Sequence, residues 1–286
     1  MTADIRFSPG AFLAPGVDWL NAHLHGVFVF IGDVVSTVLG WVERILLAPH
    51  PYLMIAIVLV AASVFANKRV AVFAALMLAF CLFSGLWVAS MQTIALVLVA
   101  VLVSVSIALP VGIIAARVKR VDNALLPILN IMQTVPPWVY LIPAVILFSL
   151  GRVPAIIATI VYGIPPMLRL TTLAFKQLPK DLLELGQASG ASPRAILFKI
   201  ELPTAAPTLL VGLNQCILMS LAMVVLAGLV GAGGLGAEVT RGLSRMEMGL
   251  GLRAGLAIVA IALLLDRLSR GALQRHAPNK MAGRDA

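Results

Sequence analysis

Seven apolar runs dominate this sequence, and most are long enough to cross the hydrocarbon core of a bilayer as a helix. A crossing helix needs about 20 predominantly apolar residues at ~1.5 Å per residue. The first run is shorter and crosses only with bilayer thinning or help from its flanking residues. The predicted spans are residues 52–66, 70–88, 91–116, 124–150, 153–174, 204–230 and 249–268. The chain is therefore predicted to be an all-α, polytopic membrane helix bundle.

Composition agrees with this class and excludes others. The chain is 61% hydrophobic and 12% charged, more apolar than a soluble core of this size requires. Its net charge of +9 does not indicate nucleic-acid binding, because the Lys and Arg residues lie between apolar runs and form no stripe with aromatics. Cys81 and Cys216 are far apart in apolar runs, which predicts small buried side chains and no metal site.

The first 50 residues differ from the apolar runs that follow. Pro9-Gly10 and Pro15-Gly16 predict an irregular tail over residues 1–17. In residues 18–47, apolar side chains recur at three- and four-residue spacing with polar residues between them. This pattern predicts an amphipathic helix that lies on the membrane or against neighbouring spans. A weakly apolar membrane span is the alternative interpretation of the same segment.

Basic residues set the orientation of the spans. Most of the 21 Lys and Arg residues lie in the loops 67–70 and 117–123, in the stretch 169–199 and in the C-terminal tail. Cytoplasmic loops carry the excess of Lys and Arg in membrane proteins. With seven spans, the N-terminus is predicted to lie outside and the C-terminus in the cytoplasm.

One long segment of mixed polarity, Lys180–Pro203, interrupts the apolar pattern on the cytoplasmic side, and we call it the polar stretch. Asp181–Ser189 is predicted to form a short helix, and Gly190-Ala191 a tight bend. Pro193 suits the first turn of a second helix, and Pro203 begins the next apolar run. Two short helices between membrane spans form a protruding element to which a cytoplasmic partner can bind.

A second motif, Gly231-Ala232-Gly233-Gly234-Leu235-Gly236, matches the GxGxxG pattern of dinucleotide-binding loops. That fingerprint requires a preceding β-strand, whereas this segment follows an apolar helix. Gly231, Gly233, Gly234 and Gly236 are predicted instead to allow a sharp turn and close helix packing at the outer mouth. We call residues 231–236 the glycine loop.

No segment of the sequence contains residues that could supply the chain with energy. The sequence contains no GxxxxGK[ST] phosphate loop and no arrangement of catalytic side chains with assignable roles. Charged residues inside the spans are few, and Arg169 and Asp266 lie near predicted cytoplasmic ends. The chain is therefore predicted not to be an enzyme and to take its energy from a partner bound at the polar stretch.

The polar stretch resembles the EAA loop of ATP-binding-cassette importer permeases, whose pattern is EAAxxxGAx8IxLP. Glu184-Leu185-Gly186 is followed after three residues by Gly190-Ala191, and after eight more by Ile200-Glu201-Leu202-Pro203. Leu185-Gly186 departs from the Ala-Ala of the pattern, and a glycine in a helix interior costs up to ~1 kcal/mol relative to alanine. The resemblance implies that Glu184, Gly190, Ala191, Ile200, Leu202 and Pro203 couple this chain to an ATPase.

Two further segments, 133–171 and 214–259, resemble the glycine betaine/proline/choline branch of these permeases, and the resemblance extends over roughly 90–270. It implies a type I importer core of five spans, preceded by two further N-terminal spans. The partners implied are a second copy of the chain, two cytoplasmic ATPase subunits that hold ATP and Mg, and an extracytoplasmic substrate-binding protein. The chain itself is expected to bind no cofactor. The resemblance implies four divisions of the chain. Residues 1–50 form an extracytoplasmic tail and an amphipathic helix, and residues 51–89 form two accessory spans. Residues 90–270 form the core, which contains the coupling loop at 180–203, and residues 271–286 form a cytoplasmic tail.

The resemblance also implies roles for particular side chains. Glu184 offers a charge to the ATPase, Gly190 permits the bend, and the packed side is predicted to contain Leu182, Leu185, Ile196 and Ile200. A quaternary ammonium group binds aromatic faces through cation–π attraction. Trp138, Tyr140 and Tyr162 flank proline breaks in the spans and are the candidates for the substrate path.

Other functions remain open at this point. Within the same class, the permease could carry another small solute, such as methionine or a phosphonate. An ion-driven secondary carrier working alone is a second class, because backbone carbonyls of broken helices can coordinate Na⁺. A membrane scaffold without transport is a third. Uptake driven by ATP, by an ion gradient or by neither separates the three.

Overall fold

A computed structural model describes residues 9–276 of this chain, and within that range the chain forms helices joined by short turns, with no strand. A π turn at Leu197–Glu201 and 3₁₀ turns at Pro137–Tyr140 and Ala227–Val230 connect several of the α-helices. The prediction of an all-α fold is confirmed. The α-helices are α1 (Pro9–Leu47), α2 (Pro51–Phe65), α3 (Lys68–Phe83), α4 (Trp87–Arg117), α5 (Lys119–Thr134), α6 (Leu141–Phe148), α7 (Arg152–Lys176), α8 (Lys180–Ala188), α9 (Pro193–Ile196), α10 (Leu202–Leu226), α11 (Gly234–Ser244) and α12 (Met248–His276).

The centre of the bundle is formed by α4, α7 and α10, which pack closely because small residues face one another. A Cβ on Gly112 of α4 would lie 2.7 Å from the Cβ of Thr171 in α7. A Cβ on Gly163 of α7 would lie 2.9 Å from the hydroxyl of Ser220 in α10. Close backbone approach of this kind is how helices associate in a bilayer, where no hydrophobic force drives them together. The three helices therefore form one tightly packed unit.

The bundle has two chemically different ends. At one end, which we call the polar end, Arg117 of α4 lies beside the polar stretch. At the other, the glycine end, the amide of Gly151 donates to the carbonyl of Val230, directly before the glycine loop. The helices α4, α7 and α10 each run from one end to the other. The two motifs found in the sequence are therefore separated by the full depth of the bundle.

Five helical segments of the described residues are long and apolar enough to cross a membrane: 22–47, 87–117, 152–176, 193–230 and 248–271. The predicted fourth span, 124–150, is not a single helix. Its two parts, Lys119–Thr134 and Pro137–Phe148, meet at an angle of 110°. Pro136 and Pro137 cause the break, because neither can donate a backbone hydrogen bond to the preceding turn.

The predicted spans 52–66 and 70–88 correspond to two short helices. The helices α2 and α3 contain 15 and 16 residues and pack side by side as a hairpin along α12. The turn between them contacts the polar end of α12, where a Cβ on Gly271 would lie 2.4 Å from the Cβ of Ala66. Both helices are shorter than the ~20 residues of a full crossing. That they cross the membrane stays a prediction.

The N-terminal segment is more helical than the sequence indicated. The prediction of an irregular tail was wrong over residues 9–17, because α1 begins at Pro9; residues 1–8 lie outside the described range. Proline is favoured in the first turn of a helix, where its missing N–H has no partner to lose. Residues 22–47 are long and apolar enough to cross a membrane, so the length of this segment also permits the alternative interpretation, a membrane span.

The contacts of α1 nevertheless keep it near the glycine end. Phe28 packs edge-on against Phe148 at 5.4 Å, and Gly32 faces Val153. Glu43, about 22 Å further along the helix axis than Phe28, accepts two hydrogen bonds from Arg152 at 3.0 and 2.8 Å. These partners all lie between Phe148 and Val153. Between Phe28 and Glu43, α1 therefore runs along the glycine end of the bundle and does not cross from one end to the other. An amphipathic helix at a membrane surface lies in this way.

A polar cluster inside the bundle joins α10 to α12. The amide of Asn214, in the middle of α10, donates to the carboxylate of Asp266 at 3.0 Å, and the Ser269 hydroxyl donates to the Asn214 oxygen at 2.6 Å. Arg270 donates to the same carboxylate from the next turn of α12. The sequence indicated only that Asp266 lies near the end of a span. In the structure its carboxylate joins α12 to α10 through hydrogen bonds.

Two further predictions concern single residues and the C-terminus. Cys81 and Cys216 are both buried and free, as predicted. The helix α12 continues to His276, across the start of the predicted tail, and residues 277–286 lie outside the described range.

Candidate functional site

The polar stretch folds as helix, bend and helix. Its first helix, α8, ends where Gly190 adopts a left-handed backbone with φ of +73°. The amides of Gly190 and Ala191 then donate to the carbonyls of Gln187 and Gly186 at 2.9 and 3.1 Å. A second helix begins at Pro193, and the Ser192 side chain caps it by accepting from the Ala195 amide at 3.3 Å. The bend at Gly190-Ala191 lies where the sequence predicted it.

Gly186 is the contact point between the two halves of the polar stretch. It is buried, and a Cβ there would lie 2.6 Å from Cδ1 of Ile200 and 3.4 Å from Cγ1 of Ile196. The structure therefore brings Ile200 and Ile196 together over α8. The departure from the Ala-Ala pattern falls at this contact, where the absence of a side chain lets α8 approach the second helix closely.

The other apolar residues predicted to pack here do not do so within the chain. Leu185 is 67% exposed and Leu182 is 40% exposed. The helical period places Leu185 on the face of Asp181 and Ala188, away from Gly186. Glu184 is exposed as well. Phe198, which the sequence analysis did not select, is 65% exposed on the second half of the stretch.

The second half of the polar stretch runs directly into a span. The chain is helical from Pro193 to Val230, through the π turn Leu197–Glu201 and then α10. Pro203 and Pro207 lack N–H donors, so the carbonyls of Lys199 and Pro203 lose their usual partners and the helix widens locally. The prediction that Pro203 begins the next apolar run agrees with the start of α10 at Leu202, but no break in the helix separates that run from the polar stretch. Leu202 and Pro203 lie at the junction of the π turn and α10.

Glu201 holds this junction to the neighbouring helix, and sequence reasoning missed it. It is 9% exposed, and its carboxylate accepts from the guanidinium of Arg117 at 2.5 Å. Burial of a carboxylate is costly unless a cation or hydrogen-bond donor compensates it. A lone acidic residue between Ile200 and Leu202 was the available signal.

Further polar contacts tie α7 to α5 at the same end. Lys176 of α7 donates to the carboxylate of Asp122 at 2.5 Å. Arg169, near the cytoplasmic end of its predicted span, donates to the side-chain oxygen of Asn130.

At the glycine end, the four predicted glycines form a tight connection between α10 and α11. Gly231, Gly233 and Gly234 have φ values of +84°, +82° and +65°, a region that residues with a Cβ rarely adopt. Gly236 needs space instead, because a Cβ there would lie 2.4 Å from the carbonyl oxygen of Val225. Their role at the mouth of a transport path stays a prediction.

Three residues outside the motif complete this turn. A Cβ on Gly228 would lie 2.2 Å from the carbonyl carbon of Gly236, so the two backbones are in direct contact. Gln92 and Thr93 of α4 accept hydrogen bonds from the first amides of α11, those of Gly234 and Leu235, at 3.2 and 2.8 Å. The signal for Gly228 was its position one helical turn before Gly231, whereas nothing in the sequence singled out Thr93.

The aromatic candidates for the substrate path do not form one cage. Tyr140 and Tyr162 lie side by side with ring centroids 5.8 Å apart and ring planes inclined at 57°, and the Tyr140 hydroxyl donates to the carbonyl of Met132 at 2.5 Å. Trp138 is 56% exposed and lines a separate apolar cleft with Ile142 and Leu229. The structure brings together two of the three aromatics.

Comparison with known proteins identifies the class to which this arrangement belongs. The family described as binding-protein-dependent transport system inner membrane component matches residues 108–281. The glycine betaine/proline betaine transport system permease protein ProW of Escherichia coli K12 is 40% identical over 91% of this chain and 73% of its own. The glycine betaine transport system permease protein OpuAB of Bacillus subtilis 168 is 38% identical over 89% of this chain and 90% of its own.

A solved structure supports the fold. The inward-facing MetNI methionine ABC transporter matches with a TM-score of 0.59 and 23% identity, over 67% of this chain and 95% of the matched chain. The match confirms the predicted type I importer fold. With its apolar helices, its helix–bend–helix at the polar end and the family match over more than half its length, the chain belongs to the inner-membrane components of binding-protein-dependent transport systems.

Proposed function

We propose that this chain is the permease subunit of an ATP-driven importer for glycine betaine and related compatible solutes, including choline and proline-type compounds. The observation that carries the proposal is the polar stretch, whose second helix continues without a break into α10. A force applied to that stretch is passed directly to a helix of the central unit. The names of the relatives support the substrate class.

The exposed face of the polar stretch is the proposed docking site for the ATPase. Leu185 and Phe198 are both about two-thirds exposed, and the exposed Glu184 and Asp181 place negative charge on the same short helix as Leu185. Exposed apolar side chains next to charged ones are typical of a protein interface. ATP and Mg belong to the ATPase partner in this proposal, and this chain binds neither. Glu184 supplies the charge that the partner recognises, and Gly190 with Ala191 keeps the two helices together.

The proposed orientation places the polar end in the cytoplasm, where ATP is available, and the glycine end outside, where a substrate-binding protein docks. Arg117, Lys119 and Lys176 lie at the polar end, in agreement with the excess of positive charge on the cytoplasmic side. The C-terminus is then cytoplasmic. The N-terminus is outside if α1 lies along the glycine end, as its contacts with Phe148–Val153 favour.

Transport in this proposal is alternating access by a dimer of this chain with two ATPase subunits. Closure of the ATPase dimer draws the two polar stretches together and moves the spans as rigid bodies. The adjacent rings of Tyr140 and Tyr162 lie beside the bent α5–α6 connection. They offer an aromatic surface to the quaternary ammonium group as it crosses the membrane. Trp138 lies apart from that pair and remains a weaker candidate.

Reconstitution tests the function. Proteoliposomes containing this chain and its ATPase, supplied with the binding protein, should accumulate labelled glycine betaine only with ATP on the ATPase side. Methionine and phosphonates should not compete. Uptake driven by an ion gradient without ATP would identify a secondary carrier, and no uptake under any condition would identify a scaffold.

Charge reversal tests the docking site. Glu184→Lys should abolish copurification of the ATPase and reduce uptake at least tenfold, because it reverses the charge at the proposed interface. Glu247→Lys is the matched control for copurification, since Glu247 is an exposed glutamate at the opposite end. ATPase binding unchanged by Glu184→Lys would place the docking site elsewhere.

A further inference from the structure

We propose that α4 and α10 form a closed frame that links the polar stretch to the glycine loop, with Arg117 and Thr93 as the positioning residues at the two ends of α4. The inference rests on the proposed function and assigns the connection between its two ends. The helix α10 joins the two motifs through the chain itself. The helix α4 joins them a second time, through side chains from distant parts of the sequence.

At the polar end, the connection passes through two contacts that are joined by the chain itself. Gly186 of α8 packs against Ile200, and Glu201 is the next residue in the same π turn. Glu201 pairs with Arg117 in the last turn of α4, where a cation is also favoured by the helix dipole. Because Glu201 is 9% exposed, its carboxylate depends on this partner. Movement of α8 is therefore passed to α4 as well as to α10.

At the glycine end, Thr93 makes the corresponding contact. Its side chain is fully buried; the hydroxyl donates to the Ala89 carbonyl at 2.9 Å and accepts from the Leu235 amide at 2.8 Å. Leu235 is in the first turn of α11, and that amide has no partner within its own helix. Gln92 receives the neighbouring amide of Gly234. The start of α11 is thus held by α4 and not by α10 alone.

The body of α4 can transmit a displacement between these ends. Thr93 and Arg117 are separated by 24 residues, which corresponds to about 36 Å along a helix axis. Between them, Ser104 donates to the Ile160 carbonyl at 3.0 Å, and Gly112 is in direct contact with Thr171. These contacts fix α4 to α7, so α4 cannot slide independently. If both ends are anchored, α4 and α10 must move as one body.

Amide hydrogen exchange on the permease alone tests the frame without any transport. Arg117→Gln should raise exchange in peptides covering the start of α11 at least threefold, although the substitution lies at the other end of the bundle. Arg120→Gln is the control, because Arg120 lies three residues after Arg117, at the start of α5, and forms no ion pair within the described range. Unchanged exchange at α11 in Arg117→Gln would overturn the proposal, whatever the assembled complex transports.

The assembled transporter supplies a second, independent readout. Arg117→Gln and Thr93→Val should each lower the number of substrate molecules imported per ATP hydrolysed at least threefold. The exchanged pair Arg117→Glu with Glu201→Arg should recover at least half of the loss. Thr159→Val is the control for Thr93, because the buried Thr159 hydroxyl bonds only to Ala155 of its own helix.

These outcomes separate the two proposals. A role limited to folding would lower uptake and ATP hydrolysis together and leave their ratio unchanged, which would overturn the frame. Failure of the wild-type complex to import substrate would instead contradict the proposed function, and the exchange experiment would still decide whether α4 links the two ends.

Discussion

Gly186 lies against Ile200 so closely that a Cβ on the glycine would be 2.6 Å from the terminal methyl group of the isoleucine. The contact joins the two helices of the polar stretch at the position where this chain departs from the Ala-Ala pattern. The neighbouring atom is the end of a flexible side chain, so a small substituent can be accommodated by rotation of Ile200, whereas a large one cannot.

We expect Gly186→Ala to preserve coupling and Gly186→Leu to abolish it. Alanine requires only a shift of the Ile200 side chain and gains up to ~1 kcal/mol of helix propensity in α8. Leucine would push α8 away from the second helix and lower ATP-dependent uptake at least tenfold. Uptake in proteoliposomes measures both variants. Equal activity of the leucine variant would show that the close contact is not needed.

Gly190→Ala should destabilise the bend through its backbone alone. The glycine has φ of +73° and no atom close to where its Cβ would be, so the cost is that of a left-handed residue, about 1–2 kcal/mol. Gly190→Asn should cost less, because asparagine tolerates this conformation. Copurification of the ATPase measures the consequence, with Gly255→Ala as a control at an uncrowded helical glycine. Equal losses in the alanine and asparagine variants would contradict a conformational cause.

Gly228→Ala should destabilise the glycine end more than either change at Gly190. The new Cβ would meet the backbone of Gly236 at 2.2 Å, and a backbone cannot rotate out of the way. We expect overpacking to cost about 1–3 kcal/mol. Heating in the presence of a maleimide dye measures unfolding, because Cys81 and Cys216 are buried in the native bundle. A midpoint equal to that of Gly255→Ala would show that the two segments can separate at no cost.

Glu43→Gln should loosen α1 from the bundle. The carboxylate accepts two hydrogen bonds from Arg152, and the amide can accept only through one oxygen and lacks the charge. The pair is partly exposed, so we expect a loss of about 1 kcal/mol or less. Limited trypsin digestion should then cut faster after Arg44, whereas Asp33→Asn, on the same helix, should leave the rate unchanged. Equal rates in both variants would show that the Arg152 contact does not hold α1.

Some of this protein could be read from local patterns. Apolar length predicts membrane helices because the bilayer imposes a thickness, and the spacing of Glu184, Gly190 and Pro203 predicts two short helices with a bend because capping and glycine chemistry act within a few residues. The same local rules failed at the N-terminus. Pro9 begins a helix there, because the effect of a proline depends on which carbonyl it leaves unpaired.

The sequence by itself determined the class of the protein and the position of its polar stretch. It also determined the kind of partner, because the stretch resembles a loop that binds an ATPase. Tertiary structure decided which residues meet. Arg117 and Glu201 are 84 residues apart, and Thr93 and Leu235 are 142 apart, so no periodicity could pair them. Their contacts exist because α4 and α10 both pack against α7, and that packing depends on the close approach of small residues in three dimensions.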